Sequence, residues 1–266
     1  MLQPTAPAER RAAFEALRSA VATRQRGAAP EAFALAEDEI VCSGLGELDA
    51  ALGGGFPRGA ISTLEGAPGS GRSAVAARLL ATATANGGLA AIVELERDVE
   101  GAWYPPALAA AGVDLDRLLI VRAQDGAGAA RAIDILARAA AFGVIVMPAL
   151  GLRAAAWTRL ASLTHRANAV LVALGAVAPE ELRYFASLRV RVRASDARFT
   201  GEPGPFCAFA GFGVEAVVLK HKRAAPGRRA RFACETFERA GPPLAALRVR
   251  EIAPPLEFAR RERAVS

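Results

Sequence analysis

The sequence has few of the residues that build metal sites, disulfides and stacking surfaces. It contains three cysteines and two histidines in 266 residues, and no metal-ligand spacing connects them. Aromatic residues make up only 6% of the chain. No apolar run reaches the roughly 20 residues that a membrane-spanning helix needs, and the first residues lack the charged start and apolar core of a secretory signal. These absences argue against a disulfide-stapled, metal-centred or membrane-bound protein and predict a globular cytoplasmic one.

Lysine is also scarce, and positive charge is unevenly distributed. Only Lys220 and Lys222 stand among 33 basic residues. Residues 218–266 carry 12 basic and 5 acidic residues, whereas residues 1–217 carry 21 and 22, so the excess charge lies in the last fifth of the chain. Such a patch suits DNA or an acidic protein surface; the alternative is a solvated tail in an arginine-rich chain. The candidate contacts of the tail with DNA or a partner are Arg260, Arg261 and Arg263.

The pattern of apolar residues divides the chain into an arm, a core and a tail. Residues 7–26 have the periodicity of an amphipathic helix, and a break with glycine and proline follows. Near-continuous apolar strands then alternate with helices, which is typical of a parallel sheet covered on both faces. After Leu188 the pattern changes to period two and predicts antiparallel strands at one edge. We therefore predict an α/β fold with an N-terminal helical arm at 1–40, a core domain at 41–240 and a basic tail at 241–266.

The individual elements of the core follow from the same periodicity. Strands are expected at 61–65, 89–95, 118–121, 144–147 and 169–174. Helices are expected from the glycine-rich turn at 66–71 to about residue 86, and at 106–111, 127–141 and 153–167. No internal repeat interrupts this series, and we predict no second folded domain.

A glycine-rich segment, GAPGSGRS at 66–73, lies between a strand and a helix, where a phosphate-loop motif belongs. Its glycines allow backbone N–H groups to turn toward phosphate oxygens at the helix N-terminus. The usual lysine of the motif is replaced by an arginine, whose planar guanidinium is larger and directs its donors differently. The predicted nucleotide-binding residues are Gly66, Gly69, Ser70, Gly71, Arg72 and Ser73, with Ser73 as the candidate Mg²⁺ ligand. The alternative is a loop that keeps its shape without a ligand.

The second element of a Mg²⁺ site is missing from the sequence. A carboxylate is expected after the apolar strand at 144–147, but the next residue is Pro148. Losing both this group and the lysine removes much of the charge stabilisation that phosphoryl transfer depends on. We therefore expect a degenerate ATPase that requires no cofactor, with binding of ATP and Mg²⁺ left open. Glu94 and Glu96, at the end of the second strand, could still polarise water; the alternative is that they cap the strand and are solvated.

Several further segments, spread over roughly residues 7–238, are similar to those of a known protein family. In chain order they are 43–49 and 54–59, 111–119, 182–190 and 217–226, and they resemble the bacterial RecA recombinase family. The resemblance implies that Glu96 stands where the catalytic glutamate would be. It also implies that Lys220 and Lys222 match lysines that reach a neighbouring subunit's nucleotide. The alternative for these lysines is a solvated edge strand, where lysine discourages aggregation.

The departures from that family bear on function. Residues 149–168 leave little room for a first DNA-binding loop, and the second is reduced to about 175–180. This truncated core with a basic tail resembles the ImuA proteins, RecA-related accessory factors of bacterial error-prone repair. That resemblance implies two partners: ImuB, an inactive Y-family polymerase relative, and an error-prone replicative-type polymerase. It implies an adaptor in the SOS response that acts in translesion synthesis without hydrolysing ATP.

The arm and the remaining alternatives complete the sequence-based predictions. Phe14, Leu17 and Val21 form an apolar stripe that we expect to contact another RecA-fold subunit, either RecA itself or a second copy; the alternative is packing on the chain's own core. DNA binding is expected to be weak, indifferent to sequence and carried by the tail. Two other functions stay open: an active DNA-dependent ATPase or recombinase, and a regulator that caps RecA filaments.

Overall fold

The computed structural model describes residues 37–97, 102–200 and 208–235. The predicted arm and basic tail lie outside the described residues. The arm and tail candidates that fall there are Phe14, Leu17, Val21, Arg260, Arg261 and Arg263. The structure therefore bears on the core that was predicted at 41–240.

Ten strands, six α-helices and two short 3₁₀ helices (Glu37–Glu39 and Leu115–Arg117) form the described part of the chain. The strands are β1 (Ile40–Val41), β2 (Phe56–Pro57), β3 (Ala60–Glu65), β4 (Leu89–Leu95), β5 (Leu118–Ala123), β6 (Phe142–Pro148), β7 (Val170–Gly175), β8 (Leu188–Thr200), β9 (Ala208–His221) and β10 (Arg229–Glu235). The helices are α1 (Gly46–Leu52), α2 (Arg72–Ala85), α3 (Pro105–Ala110), α4 (Gly126–Ala139), α5 (Ala154–Ala167) and α6 (Glu180–Phe185). None of these described helices is long and apolar enough to cross a membrane.

Eight strands form one sheet in the order β10-β9-β8-β3-β7-β6-β4-β5. The six strands from β8 to β5 run parallel, whereas β9 and β10 are added antiparallel at the β8 side. The short strands β1 and β2 pair antiparallel in a separate sheet. The structure thus confirms the predicted fold class, a mainly parallel α/β sheet with antiparallel strands at one edge.

Two hydrophobic cores lie on the two faces of this sheet. Helices α1, α2 and α3 cover the first face, and α4, α5 and α6 cover the second. Strands β3, β4, β6 and β7 contribute buried side chains to both cores, as expected for parallel strands covered on both sides. The buried side chains of β8, β9 and β10 belong to the first core only. The second face of these three strands is therefore the open side of the sheet.

Most predicted elements agree with the structure to within two residues at each end, and the predicted strand at 89–95 coincides with β4. The structure adds elements that the periodicity did not indicate. The segment expected to be a reduced loop at about 175–180 continues into α6, and α1 and the β1–β2 pair precede β3. These are short elements with too few residues to show a period, so local sequence alone does not reveal them.

Candidate phosphate-loop site

The glycine-rich loop connects the end of β3 to the first residue of α2, as predicted. Gly66 donates its N–H to the carbonyl oxygen of Gly175 at 3.0 Å, which ties the start of the loop to the end of β7. Gly69 and Gly71 have positive φ angles of 79° and 92°, a backbone region that favours glycine. The structure therefore brings the six predicted loop residues together in one turn: Gly66, Gly69, Ser70, Gly71, Arg72 and Ser73.

Arg72 occupies the position of the motif's lysine but is buried. It is the first residue of α2 and only 2% exposed, whereas its neighbour Ser73 is exposed. The space next to it is tightly packed, because a Cβ added to Gly71 would lie 2.9 Å from Val214 and 3.2 Å from Phe212 of β9. The guanidinium is thus held inside the protein and does not extend from the loop into solvent.

Pro148 stands where the sequence predicted a missing carboxylate. It is the last residue of β6 and pairs with Leu174 of β7, which in turn pairs with Leu64 of β3. Pro148 is therefore level with the base of the loop. Within the described ranges, no cluster of three or more His, Cys, Asp or Glu side chains is placed to hold a metal ion. The residues at this edge fit a loop-bound Mg²⁺ poorly, since they supply no carboxylate at this position.

The two glutamates at the end of β4 differ in their surroundings. Glu94 is 3% exposed; its carboxylate accepts hydrogen bonds from Nε of Arg122 and from the N–H of Trp103, both at 2.8 Å. The interpretation of Glu94 as a solvated cap is therefore wrong, because this carboxylate joins β4 to β5. Glu96 is exposed beyond the strand end, and its N–H donates to the carbonyl of Ala123. Its strand lies three strand spacings from β3, or about 14 Å.

A buried ion pair joins the base of the loop to the edge of the sheet. Glu65, the last residue of β3, is 3% exposed, and its carboxylate accepts hydrogen bonds from Nε and NH2 of Arg189 at 2.8 and 3.1 Å. It also accepts hydrogen bonds from the N–H of Ala178 at 3.2 Å and from the hydroxyl of Thr63 at 2.9 Å. Burial raises the pKa of Glu65, but these bonds and the charge of Arg189 outweigh it and hold the pKa below its ordinary value.

Lys220 secures the other end of α6. Its ammonium donates to the carbonyl oxygens of Arg183 and Tyr184 at 2.8 and 2.9 Å. Burial, followed by the positive charges of Lys222 and Arg189, lowers the pKa of Lys220. Lys222 is exposed, and its backbone N–H donates a hydrogen bond to the carbonyl oxygen of Ser187. The predicted pair of lysines thus divides into one that is engaged within the chain and one whose side chain faces solvent.

These contacts form a unit that we call the α6 clamp, consisting of Glu65, Arg189 and Lys220. Glu65 accepts a hydrogen bond from Ala178, just before the helix, and Lys220 donates hydrogen bonds to the last turn of the helix. Arg189 of β8 and Lys220 of β9 are register partners, so the two contacts lie side by side. Sequence reasoning did not find the clamp, because its members lie up to 155 positions apart. The signal that was available is a glutamate that ends the strand directly before the glycine-rich loop.

Comparisons with known proteins agree with this fold. Residues 33–161 match the family described as the RecA N-terminal domain. The chain is 42% identical over 109 residues to a RecA protein of Nostoc punctiforme, covering 41% of this chain and 29% of that protein. It is 30% identical over 227 residues to a RecA protein of Picosynechococcus, covering 71% of this chain and 63% of that protein. Among solved structures, the RadB recombinase superposes with a TM-score of 0.57 at 20% identity, covering 73% of this chain and 96% of that one.

The family match, these relatives and the sheet topology support a place for the chain in the RecA superfamily. At 20% identity, the likeness to RadB concerns the fold alone. The chain spans less than two thirds of the length of the RecA relatives it matches.

Proposed function

We propose that this chain is a RecA-like adaptor that does not hydrolyse ATP and that acts in DNA-damage-induced translesion synthesis, as ImuA proteins do. The observation that carries the proposal is the chemistry of the carboxyl edge of the sheet. Arg72 is buried at the loop, and Pro148 replaces a carboxylate at the end of β6. The buried carboxylates of Glu65 and Glu94 are each paired with an arginine. Phosphoryl transfer needs positioned charge around the phosphates and the metal, which these side chains supply poorly.

The α6 clamp supports a role as a fixed docking platform. In many nucleotide-dependent switches, contacts with the terminal phosphate order a segment that is released after hydrolysis. Here the segment that follows β7 is bonded at its start to Glu65 and at its end to Lys220. Both sets of bonds are made by the chain itself and need no ligand. An adaptor that presents one surface at all times fits this arrangement.

The proposed partners follow from the resemblance to ImuA and from the charge. They are an ImuB-like inactive Y-family polymerase relative and an error-prone polymerase, with RecA or a second copy of the chain as further candidates for the arm. Weak contacts with DNA are assigned to the C-terminal region, because residues 218–266 hold 12 of the 33 basic residues and only 5 acidic ones. The proposed place of action is the cytoplasm, at the nucleoid, and no cofactor is required.

The absence of hydrolysis is tested by a sensitive ATPase assay with and without single-stranded DNA. We expect background rates in both conditions, because Arg72 and Pro148 replace the groups that hold phosphate and metal. Glu96→Gln is the matched variant, since Glu96 is exposed and at the position implied for the catalytic glutamate. A rate equal to that of an intact RecA-type ATPase, abolished by Glu96→Gln, would show that the chain is an active ATPase.

The adaptor role is tested by capturing the tagged full chain from cells with and without DNA damage and identifying its partners by mass spectrometry. We expect polymerase-related partners that increase after damage. Recovery of RecA alone, together with shortened RecA filaments in the presence of the purified chain, would favour filament capping instead. Recovery of neither class after damage would contradict the adaptor proposal.

A further inference from the structure

Arginines cluster on the open side of the sheet, on three neighbouring strands. The buried side chains of β8, β9 and β10 belong to the first core, and successive side chains of a strand point to opposite faces. The residues that alternate with the buried ones therefore stand on the open side. Four of them are exposed arginines, which we call the arginine face: Arg191 and Arg193 of β8 and Arg229 and Arg231 of β10.

The register of the strands places these arginines around two residues of β9. Val217 lies between Arg191 and Arg229. Glu215 lies between Arg193 and Arg231 in the next row on the same side. Because neighbouring strands are about 4.8 Å apart, the arginines of one row are roughly 10 Å apart, and the two rows are about 7 Å apart along the strands. The four side chains therefore start from the corners of a small rectangle.

Glu215 is the carboxylate at the centre of the arginine face, and it is shielded. The guanidinium groups of Arg229 and Arg231 lie 3.5 and 3.6 Å from its Oε1 atom, and its side chain is only 22% exposed. The side chains of these two arginines are 69% and 83% exposed, so they reach over β9 and stay accessible. Four positive charges thus surround one negative charge, and the surface attracts acidic groups from outside.

Protection of the sheet edge does not account for all four arginines. Strand β10 is the last strand of the sheet, and charged side chains on an edge strand discourage pairing with another chain. Strand β8, however, lies between β3 and β9 and is paired with both at Arg191. Its position needs no such protection, so the arginines of β8 require another explanation.

The chain's own remaining segments are poor candidates to cover the arginine face. Residues 1–36 contain five arginines and three acidic residues, and residues 236–266 contain six arginines and four acidic residues. Both segments carry net positive charge, which the arginine face repels. The short segments 98–101 and 201–207 supply only two acidic residues and one. A separate molecule with acidic groups matches the charge of this face better.

The composition of the face favours a protein over a nucleic acid. Sites for single-stranded nucleic acid combine basic groups with aromatic rings on which bases stack. None of the residues on the open side of these rows is aromatic; they are 191 and 193 of β8, 213, 215 and 217 of β9, and 229, 231 and 233 of β10. A continuous phosphate backbone would also pass over Glu215, whereas separate carboxylates can pair with the arginines at the corners.

We propose that the arginine face docks a carboxylate-rich, extended segment of a partner protein. Guanidinium groups bind carboxylates through two parallel hydrogen bonds, and arginine is enriched in protein–protein interfaces. Alternate residues of an extended segment repeat at about 7 Å, which equals the spacing of the two rows. This inference rests on the proposed adaptor function and deepens it, because it names the surface and the chemistry of the partner.

A fluorescent peptide in which glutamate and serine alternate is the probe, and its anisotropy is followed as the full chain is added. We expect saturable binding that weakens as salt is raised, because exposed ion pairs are screened. Replacing both Arg191 and Arg193 with alanine should weaken binding by about tenfold with an unchanged urea midpoint. The matched control replaces Arg131 and Arg153, exposed arginines of α4 and of the residue before α5, and removes the same charge away from the face. It should bind like the wild type.

A variant of opposite sign sharpens the test. Glu215→Gln removes the central carboxylate and releases Arg229 and Arg231 from their ion pairs. It should strengthen binding of the peptide by a few-fold. The matched control is Glu47→Gln, an exposed glutamate of α1 on the other side of the sheet, which should leave binding unchanged.

Three results would overturn the arginine face as a docking surface. The first is the absence of saturable peptide binding, and the second is an equal loss in the Arg131/Arg153 control, which would indicate general attraction to charge. The third is displacement of the peptide by oligodeoxythymidylate whose own binding falls in the Arg191/Arg193 variant, which would assign the face to nucleic acid.

Capture from damaged cells keeps this proposal distinct from the adaptor role. If the wild type and the Arg191/Arg193 variant recover the same polymerase-related partners, the docking surface is wrong and the adaptor role stands. If the peptide binds as expected but no such partner is recovered, the docking surface stands and the adaptor role is wrong.

Discussion

The central strands and the antiparallel edge of the sheet follow different rules. Strands β3, β4, β6 and β7 bury side chains in both cores, whereas β8, β9 and β10 bury them in the first core only. The central strands therefore carry charge only at their ends, while the edge places arginines on its open face. These exposed arginines are Arg191, Arg193, Arg229 and Arg231. The comparison indicates that the centre specifies the fold and that the edge provides the charged surface.

The α6 clamp is the place where the two regions meet. Glu65 ends a central strand, whereas Arg189 and Lys220 belong to the edge strands β8 and β9. The buried carboxylate is stabilised by a guanidinium that is 17% exposed. A pair of this kind is weak evidence for net stability, but removing one partner leaves an uncompensated charge. Breaking the clamp is therefore the largest change that a single substitution at this boundary should produce.

Arg189→Ala is expected to lower the free energy of unfolding by about 3–5 kcal/mol, because Glu65 would be left buried and unpaired. Urea denaturation measures this change. The matched control is Arg191→Ala, two residues along the same strand and exposed, which should stay within about 0.5 kcal/mol of the wild type. Equal stability of both variants would show that the clamp does not contribute to folding.

A second variant sharpens this test. Adding Glu65→Gln to Arg189→Ala neutralises the stranded carboxylate, so the double variant should be more stable than Arg189→Ala alone. The coupling energy of a contacting pair is commonly about 0.5–3 kcal/mol. Strict additivity of the two substitutions would contradict a direct interaction between these side chains.

Truncating an apolar side chain should be costly in the centre and cheap at the open face. Ile145 in β6 is 1% exposed and lies in the second core, so Ile145→Ala is expected to cost about 2–5 kcal/mol. Val217 in β9 is partly exposed and lies in neither core. Val217→Ala should cost no more than about 1 kcal/mol. Comparable losses in urea denaturation would mean that another part of the protein covers the edge.

Acid should weaken both the boundary and the outer helices. The pKa of Glu65 in the folded chain lies below its ordinary value of 4.5. The carboxylate therefore contributes fully to the free energy of unfolding above pH 4.5, and this contribution is lost as the pH falls through the folded pKa. Hydrogen bonds from Arg159 of α5 and Arg138 of α4 lower the pKa of Asp134, which lies in α4, from 3.8 to about 2. Its contribution is therefore lost between those values as the pH falls.

Urea midpoints measured across the acid range test these two carboxylates separately. Glu65→Gln should flatten the decline that begins below pH 4.5, and Asp134→Asn should flatten only the part below pH 3.8. An unchanged slope in Glu65→Gln would mean that this carboxylate titrates alike in the folded and unfolded chains.

The sequence predicted the central region better than the boundary. The apolar runs of β4 and β6 and the glycine-rich loop are local signals, and the structure agrees with them closely. Two features required tertiary contacts: α6 has six residues, too few for a visible period, and the Glu65–Arg189 pair joins positions 124 residues apart. The roles of Arg72 and Pro148 in hydrolysis, and of Lys222 in association, stay predictions.

The smallest expected effect separates the two lysines. Lys220→Met should cost about 1 kcal/mol, because it removes two charge-assisted bonds to the last carbonyls of α6, and its partial exposure weakens that contribution. Lys222→Met is the matched control and should stay within about 0.5 kcal/mol, since its side chain is exposed. Hydrogen exchange should show faster exchange at 180–187 in Lys220→Met only. Binding of a partner is expected to depend on the other lysine. If the exposed ammonium of Lys222 makes that contact, Lys222→Met loses binding and keeps its stability. If both variants exchange alike and bind alike, neither lysine has the role assigned to it, and the edge strand is simply solvated at this end.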